Sequence, residues 1–292
     1  MEYAGSSPGD GEPGGNVKKE WIRTRSDKFQ LFETLKRNRE KRSKTGLAFI
    51  EGVQMVEQSI RHNWHFAAMA VMDGKRLSGW AEDMIAKADP DVLYHMAPEL
   101  MQELSDRDDT CEIIGLVKMR GDGLQRMAKK AGESDAAPFY ALFDRPQSPG
   151  NLGTFLRSAD AFGAHGAIIT GHAADCYDTQ SLRASVGTAF AIPFANLASA
   201  EEAVEWLKSQ ENPPLIVGTS AKGEKNISEI DLSGPVALVI GNETFGMSKA
   251  WKEKCDVLVK IPIMGAASSL NAGCAATVCF YEISRQRGEK KR

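Results

Sequence analysis

Three polar segments of this 292-residue chain each follow an apolar run, and together they carry amides, a carboxylate, an arginine, hydroxyls and glycines. Asn151, Gly153 and Arg157 lie beyond Phe139 to Phe143. Gly241-Asn242-Glu243-Thr244-Phe245-Gly246 follows Val236 to Ile240, and Ser268-Ser269-Leu270-Asn271 comes after Val257 to Pro262. A buried strand that stops at glycine brings backbone N–H and C=O groups close to a ligand, and open α/β sheets bind ligands outside the carboxyl ends of their strands. An arginine there can clamp an anion through paired hydrogen bonds, while carboxylate and amides fix neighbouring groups. This equipment holds and aligns reactants. Asn151 and Arg157, six residues apart, are expected on roughly the same side of an entry loop and first helical turns.

The elements that must position these groups alternate between strand and helix. In the C-terminal half the pattern reads strand 139–143, helix 152–162, strand 167–170, helix 179–186, a short apolar stretch 191–194, helix 200–209, and strands 215–218 and 236–240. Helix 247–253, strand 257–261 and a long helix 270–286 complete it. Buried parallel α/β is the natural assignment. Upstream, helices at 29–38, 52–63, 79–88 and 98–104 alternate with strands at 48–50, 67–72, 92–94 and 113–119, which makes a second, smaller α/β unit. The expected division is a disordered Gly/Ser/Pro-rich tail 1–16, a small α/β domain 17–120, a linker 121–137 that is helical in part at most, and a larger domain 138–292. Residues 9–14 fit Gly-x-Gly-x-x-Gly, yet no strand precedes them and a proline interrupts them, so they carry no dinucleotide site.

A net charge of −3 gives no overall nucleic-acid signal, so any RNA affinity must be local. Between Asn16 and Lys44 eleven basic residues face four acidic ones, a local excess of +7. Arg23, Arg25, Lys36, Arg39, Lys41 and Arg42 in that run are candidate phosphate contacts; a solvated helix face is the plainer reading of such a run. The five cysteines form no Cys-x-x-Cys pair and lack histidines at metal spacing, so reduced thiols and no metal site are expected. No apolar run reaches membrane-spanning length and no secretory signal opens the chain, pointing to a cytoplasmic protein.

The order Asn-x-Gly-x-x-x-Arg, Gly-Asn-Glu-x-x-Gly, Ser-Leu-Asn resembles the SpoU/TrmH branch of the SPOUT methyltransferases over about residues 138 to 287, and more loosely back to residue 22. Each motif alone is weak; three in order, each at a strand end, are specific. The resemblance implies a C-terminal domain with a parallel sheet and a trefoil knot, an N-terminal α/β RNA-binding domain, a homodimer, and methyl transfer from S-adenosylmethionine to a ribose 2′-hydroxyl of RNA, ribosomal rather than transfer RNA. It also implies a cofactor cleft lined by Gly218, Thr219, Ile240, Gly241, Gly246, Ile261, Ser269 and Leu270. The family continues Ser-Leu-Asn with Val-Ser, whereas Ala272-Gly273 follows here, which removes a hydroxyl.

In the family the arginine matching Arg157 has been assigned as the base. A guanidinium is effectively always protonated, and a nearby phosphate favours the charged form further, so phosphate anchoring is the role we expect. Asn151 is expected to orient Arg157 or the ribose, Glu243 to fix an arginine or the loops, Asn271 to meet cofactor or ribose, and Ser269 to cap the last helix or serve the site. Turn or cap duty is the ordinary alternative for both asparagines. Arg183, in a segment that also resembles the family, is expected to bind phosphate or pair with an acid. Two rival activities stay open: a non-catalytic RNA-binding relative, and methylation of a base nitrogen. A nicotinamide- or nucleotide-dependent enzyme is disfavoured by the lack of a strand-coupled glycine fingerprint or phosphate-binding loop.

Overall fold

A computed structural model describes residues 17–105 and 111–290. The tail 1–16 and its glycine motif lie outside the described residues. The N-terminal unit runs β1 (Lys18–Ile22), α1 (Asp27–Arg37), α2 (Arg39–Thr45), β2 (Leu47–Glu51), α3 (Val53–Arg61), β3 (Phe66–Met72), α4 (Gly79–Ala88), β4 (Val92–Met96), α5 (Pro98–Leu104) and β5 (Ile113–Lys118). Its sheet has the order β1-β4-β3-β5-β2, with β5 antiparallel to both of its neighbours and the remaining pairs parallel. Phe29, Phe32 and Leu35 of α1 and Met101 of α5 fill one face; Met55 and Val56 of α3 and Met84 of α4 fill the other.

Helix α6 (Gly123–Gly132) comes next, where the sequence reads as a linker. Met127 is fully buried, and a Cβ on Gly123 would sit 1.9 Å from the Phe194 carbonyl oxygen. The helix is therefore packed against the C-terminal sheet and is no free spacer.

The C-terminal unit continues with β6 (Phe139–Asp144), α7 (Pro149–Ala161), β7 (Gly166–Thr170), α8 (Thr179–Ser185), β8 (Phe194–Leu197), α9 (Ala200–Lys208), β9 (Leu215–Thr219), the two-residue β10 (Lys225–Asn226), β11 (Val236–Ile240), α10 (Lys249–Lys254), β12 (Val257–Lys260) and α11 (Ala272–Lys290). All seven strands are parallel, in the order β10-β12-β9-β11-β6-β7-β8. Central strands β6 and β11 are buried at every residue, which is why they read as unbroken apolar runs. Helix α7 starts where Ser148 accepts a hydrogen bond from the Asn151 N–H and Pro149 opens the first turn; it buries Leu152, Phe155, Leu156 and Ala159 against the sheet.

The two units are locked together. Arg42, only 1% exposed, pairs with Asp175 at 2.7 Å and Asp178 at 3.8 Å. Arg39 donates to the Ala173 carbonyl. The Trp64 indole donates to the Phe190 carbonyl at 2.8 Å, and the Arg120 guanidinium lies 4.4 Å from the Trp64 ring.

Candidate functional site

The three polar segments meet at the carboxyl ends of β6, β9, β11 and β12. Their join is a chain of side chains. Asn151, in the first turn of α7, donates to Glu243 at 3.2 Å and accepts from the Asn271 amide at 2.9 Å. Glu243 also accepts the main-chain N–H groups of Gln147 at 3.0 Å and Ser148 at 3.1 Å. Asn271 in turn accepts the N–H groups of Gly273 and Cys274 at the start of α11. Burial of the Glu243 carboxyl pushes its pKa up, but the donors from Gln147, its own backbone, Ser148 and Asn151 outweigh that and hold it below the ordinary glutamate value. Glu243 is thus an ionised tie between loops.

Beside this chain lies a cleft of about 460 Å³, within the roughly 300–1,000 Å³ of small-molecule sites. Thr219, Ile240, Gly241, Gly246, Ile261, Ser269 and Leu270, seven of the eight residues that the family resemblance implies, line it with Asn242, Glu243, Phe245, Met247, Lys222 and Lys252. Gly218 does not: a Cβ there would sit 2.7 Å from Cys255 Sγ and from Met247 Cε, so its missing side chain serves packing under the cleft. The loop after β11 closes on itself, since Asn242 and Gly246 exchange backbone hydrogen bonds at 3.1 and 2.9 Å. The Asn242 side chain clips this loop, donating to the Arg145 carbonyl and accepting from the Thr244 and Phe245 N–H groups. A Cβ on Gly241 would lie 2.2 Å from the Met247 nitrogen, so only glycine fits.

Arg157 sits further along α7, exposed, and its side chain makes no hydrogen bond or ion pair with another described residue. Six residues turn about 240° on a continuous helix, so Asn151 and Arg157 do not share a side, and Asn151 holds Glu243 and Asn271 instead of orienting the arginine. Capping of α11 falls to Asn271; Ser269 is exposed at the cleft. Gly273, where the family carries a serine, faces Thr154 of α7, with 3.0 Å between a built Cβ and Thr154 Cγ2. Its lack of a side chain lets the two helices close.

The basic run divides. Arg23 and Lys41 are exposed, and Arg25 is exposed while paired with Glu103 at 2.9 Å. Lys36 is buried and donates to the Leu104 carbonyl, and Arg42 is committed to Asp175. Neither can reach a phosphate without breaking the packing, which corrects the expectation for both; Arg39 likewise serves the junction between units. Arg183 lies on α8 at that junction, beside Phe49 and Glu51, away from the cleft.

Sequence reasoning missed Asp144 and Arg145. Buried Asp144 accepts from the Ser248 N–H at 2.7 Å, and Arg145 lies over it with a left-handed backbone, φ +50°. A non-glycine residue there stores strain, and the only sequence signal was Asp-Arg-Pro at a strand end.

Residues 138–281 match the SpoU rRNA Methylase family, and residues 26–114 match the SpoU L30e-like domain. The "23S rRNA (uridine(2479)-2'-O)-methyltransferase" of Streptomyces viridochromogenes is 39% identical over 271 residues, spanning 91% of this chain and 92% of that one. The chain belongs to the SpoU methylase family. Among solved structures, the SpoU methyltransferase AviRb from Streptomyces viridochromogenes in complex with the cofactor AdoMet superposes with a TM-score of 0.83 at 38% identity, covering 90% of this chain and 98% of that chain. The AdoMet-bound rRNA methyltransferase from Sinorhizobium meliloti gives 0.80 at 25% identity, covering 91% and 98%. SpoU membership thus extends to both units, the smaller sheet as well as the cleft-bearing one. No helix among the described residues is long and apolar enough to cross a membrane.

Proposed function

We propose that this SpoU-family protein methylates a ribose 2′-hydroxyl of ribosomal RNA with S-adenosylmethionine. The observation that carries the reading is the Glu243–Asn151–Asn271 chain, which ties all three family motifs together at the rim of one cleft. The cleft suits the cofactor: Ile240, Ile261 and Leu270 offer apolar faces to an adenine, the strand-end backbone at Gly241 approaches without a side chain, and no phosphate cradle is needed. When bound, S-adenosylmethionine would supply an electrophilic methyl group: the C–S bond breaks as the O–C bond forms, the sulfonium leaves as a neutral thioether, and the hydroxyl proton passes to solvent. The protein's part is alignment. Arg157 anchors a phosphate of the target nucleotide through its forked donors, which brings the 2′-hydroxyl toward the methyl. Glu243, Asn151 and Asn271 keep the loops and the start of α11 in register, and Ser269 offers its hydroxyl at the rim.

The family relative named for a uridine in 23S rRNA supports ribosomal RNA as substrate. Of the six candidates in the basic run, Arg23 and Lys41 stay exposed and without an ion pair to another described residue, and are free for phosphate contact. The same reading includes a homodimer through α11, where Val278 and Tyr281 are 40% and 56% exposed, a metal-free reaction and a cytoplasmic location. It also includes the trefoil knot. The end of α11 packs on the segment before β11, where Gln286 bonds Ile230 and Leu232 and Arg287 bonds Gly234.

Purified protein is incubated with radiolabelled S-adenosylmethionine and unmodified ribosomal or transfer RNA, and the product is digested to nucleosides. A labelled 2′-O-methylnucleoside from ribosomal RNA, lost in Arg157→Ala, is expected. Label on a base, or RNA binding without label, overturns the reading, and a monomer in sedimentation overturns the dimer.

A further inference from the structure

The two faces of edge strand β1 treat their charges differently. Lys18, Glu20 and Ile22 share one face: Ile22 is buried, and Glu20 takes both Lys18 and Lys28 as ion-pair partners. Both lysines on that face are thereby tied to a carboxylate within the protein. Lys19 and Trp21 share the other face, and Arg23 continues the alternation just past the strand. Lys19 and Arg23 are exposed, and neither forms an ion pair with another described residue. Between them Trp21 is 52% exposed, and its ring stacks on His95 of the neighbouring strand β4, with centroids 5.3 Å apart and planes 19° apart.

A single exposed apolar side chain is ordinary on a protein surface; what sets Trp21 apart is its surroundings. Here the imidazole beneath fixes its plane, one broad face stays open to solvent, and an unpartnered cation stands on either side along the strand. Every nucleobase offers a π-face, and phosphates flank each base along a single strand; an aromatic platform between cations matches both. A protein partner would find little apolar surface, because Val53 is the only other large apolar side chain among the described residues of this unit with comparable exposure. The basic–aromatic–basic alternation therefore selects a nucleic-acid partner by its charge.

We infer that Trp21, backed by His95 and flanked by Lys19 and Arg23, is a stacking platform for an unpaired base of the RNA substrate. The inference rests on the RNA methyltransferase reading and adds to it a place where single-stranded RNA is held outside the cleft. Trp21 grips one base in the plane set by His95, and Lys19 and Arg23 take the phosphates on either side.

The test uses the full chain and a fluorescently labelled 12-nucleotide single-stranded RNA, with a 12-base-pair RNA duplex for comparison. Anisotropy titrations are run at several salt concentrations, and S-adenosylmethionine binding is measured in parallel. Trp21→Ala is expected to weaken single-strand binding roughly five- to 150-fold, Trp21→Phe to stay within a few-fold of the parent, and the duplex to be insensitive to both. Lys19→Ala and Arg23→Ala should each reduce the salt slope by about 0.7. Cofactor binding should be unchanged in all four variants, which reports an intact C-terminal unit. Unchanged single-strand affinity in Trp21→Ala, or equal loss in the phenylalanine variant, overturns the inference. So does a change in sedimentation on mutation with no change in RNA affinity, since that would make the face a protein interface. Lys19→Glu with Arg23→Glu leaves the ring in place and covers the case in which Trp21→Ala does not fold; retained single-strand affinity in that variant also overturns the inference. If the parent transfers no methyl group to any RNA, the methyltransferase reading fails on that result, separately from the platform.

Discussion

Replacing Glu243 by glutamine keeps the size of the side chain and removes its charge. In the parent, two carboxylate oxygens receive the Gln147 N–H at 3.0 Å, the Ser148 N–H at 3.1 Å and the Asn151 amide at 3.2 Å. A glutamine presents a single oxygen, so at least one donor must face its NH₂ group. A hydrogen bond to a charged acceptor contributes about 1.5–3 kcal/mol, and the half-buried position favours the lower end. Losing one such bond and weakening the others costs the arrangement about 2 kcal/mol, equivalent to about 30-fold in kcat/KM if that order is needed only for methyl transfer. The assay is the initial rate of label transfer to unmodified ribosomal RNA over a range of RNA concentrations. A variant within threefold of the parent would refute the claim that Glu243 holds the site together. A second readout comes from pH. The folded protein holds the Glu243 pKa below its ordinary 4.5, so this carboxylate's share of stability is present above 4.5 and disappears as pH falls through the lower folded value. The stability gap between parent and variant should therefore shrink on acidification below pH 4.5; a gap that widens there refutes the assignment.

Gly241→Ala forces a methyl into the Met247 nitrogen and should lower S-adenosylmethionine affinity more than tenfold by calorimetry, while Gly265→Ala, with open space around it, should leave affinity unchanged. Asn271→Ala removes the α11 cap and the link to Asn151, so a loss of about 1–2 kcal/mol in denaturant unfolding is expected together with reduced methyl transfer. Arg42→Ala leaves the largely covered Asp175 carboxylate, 13% exposed, without its cation and should cost about 3 kcal/mol in the same measurement, the low end for a broken buried pair; if it instead lowers the salt slope of RNA binding without destabilising the protein, Arg42 is a phosphate contact after all.

Burial made the C-terminal fold legible. Strands such as Val236 to Ile240 are covered on both sides, so nothing but apolar residues fits them and the sequence shows it directly. Strand β1 was hidden for the opposite reason: Lys-Lys-Glu-Trp-Ile sits at a sheet edge with one face in water, and its lysines read as part of a charge run. Helix α6 had its signal in Leu124, Met127 and Ala131 at helical spacing, outweighed by the lysines and glycines around them. In the site, residue types and motif order identified the participants, because strand-end glycines and polar groups are rare inside apolar runs. Their pairings were not legible. Asn271 reaches Asn151 and Arg42 reaches Asp175 across more than a hundred residues of chain, and no local pattern says which of six basic side chains will meet a distant carboxylate. Gly218 shows the same limit, since a glycine that admits a ligand and one that admits a sulfur look alike in sequence.

The buried Arg42 pairing, with Trp64 and Arg120 beside it, gives the two units a common rigid frame. A frame of fixed length acts as a ruler. Under the proposed reading, in which the smaller sheet holds RNA, the nucleotide that reaches the cleft is then set by its distance from that held part as well as by its own identity. Lengthening or shortening the RNA between those two points should move the methyl group to a different residue or abolish transfer, where a hinged pair of units would tolerate the change.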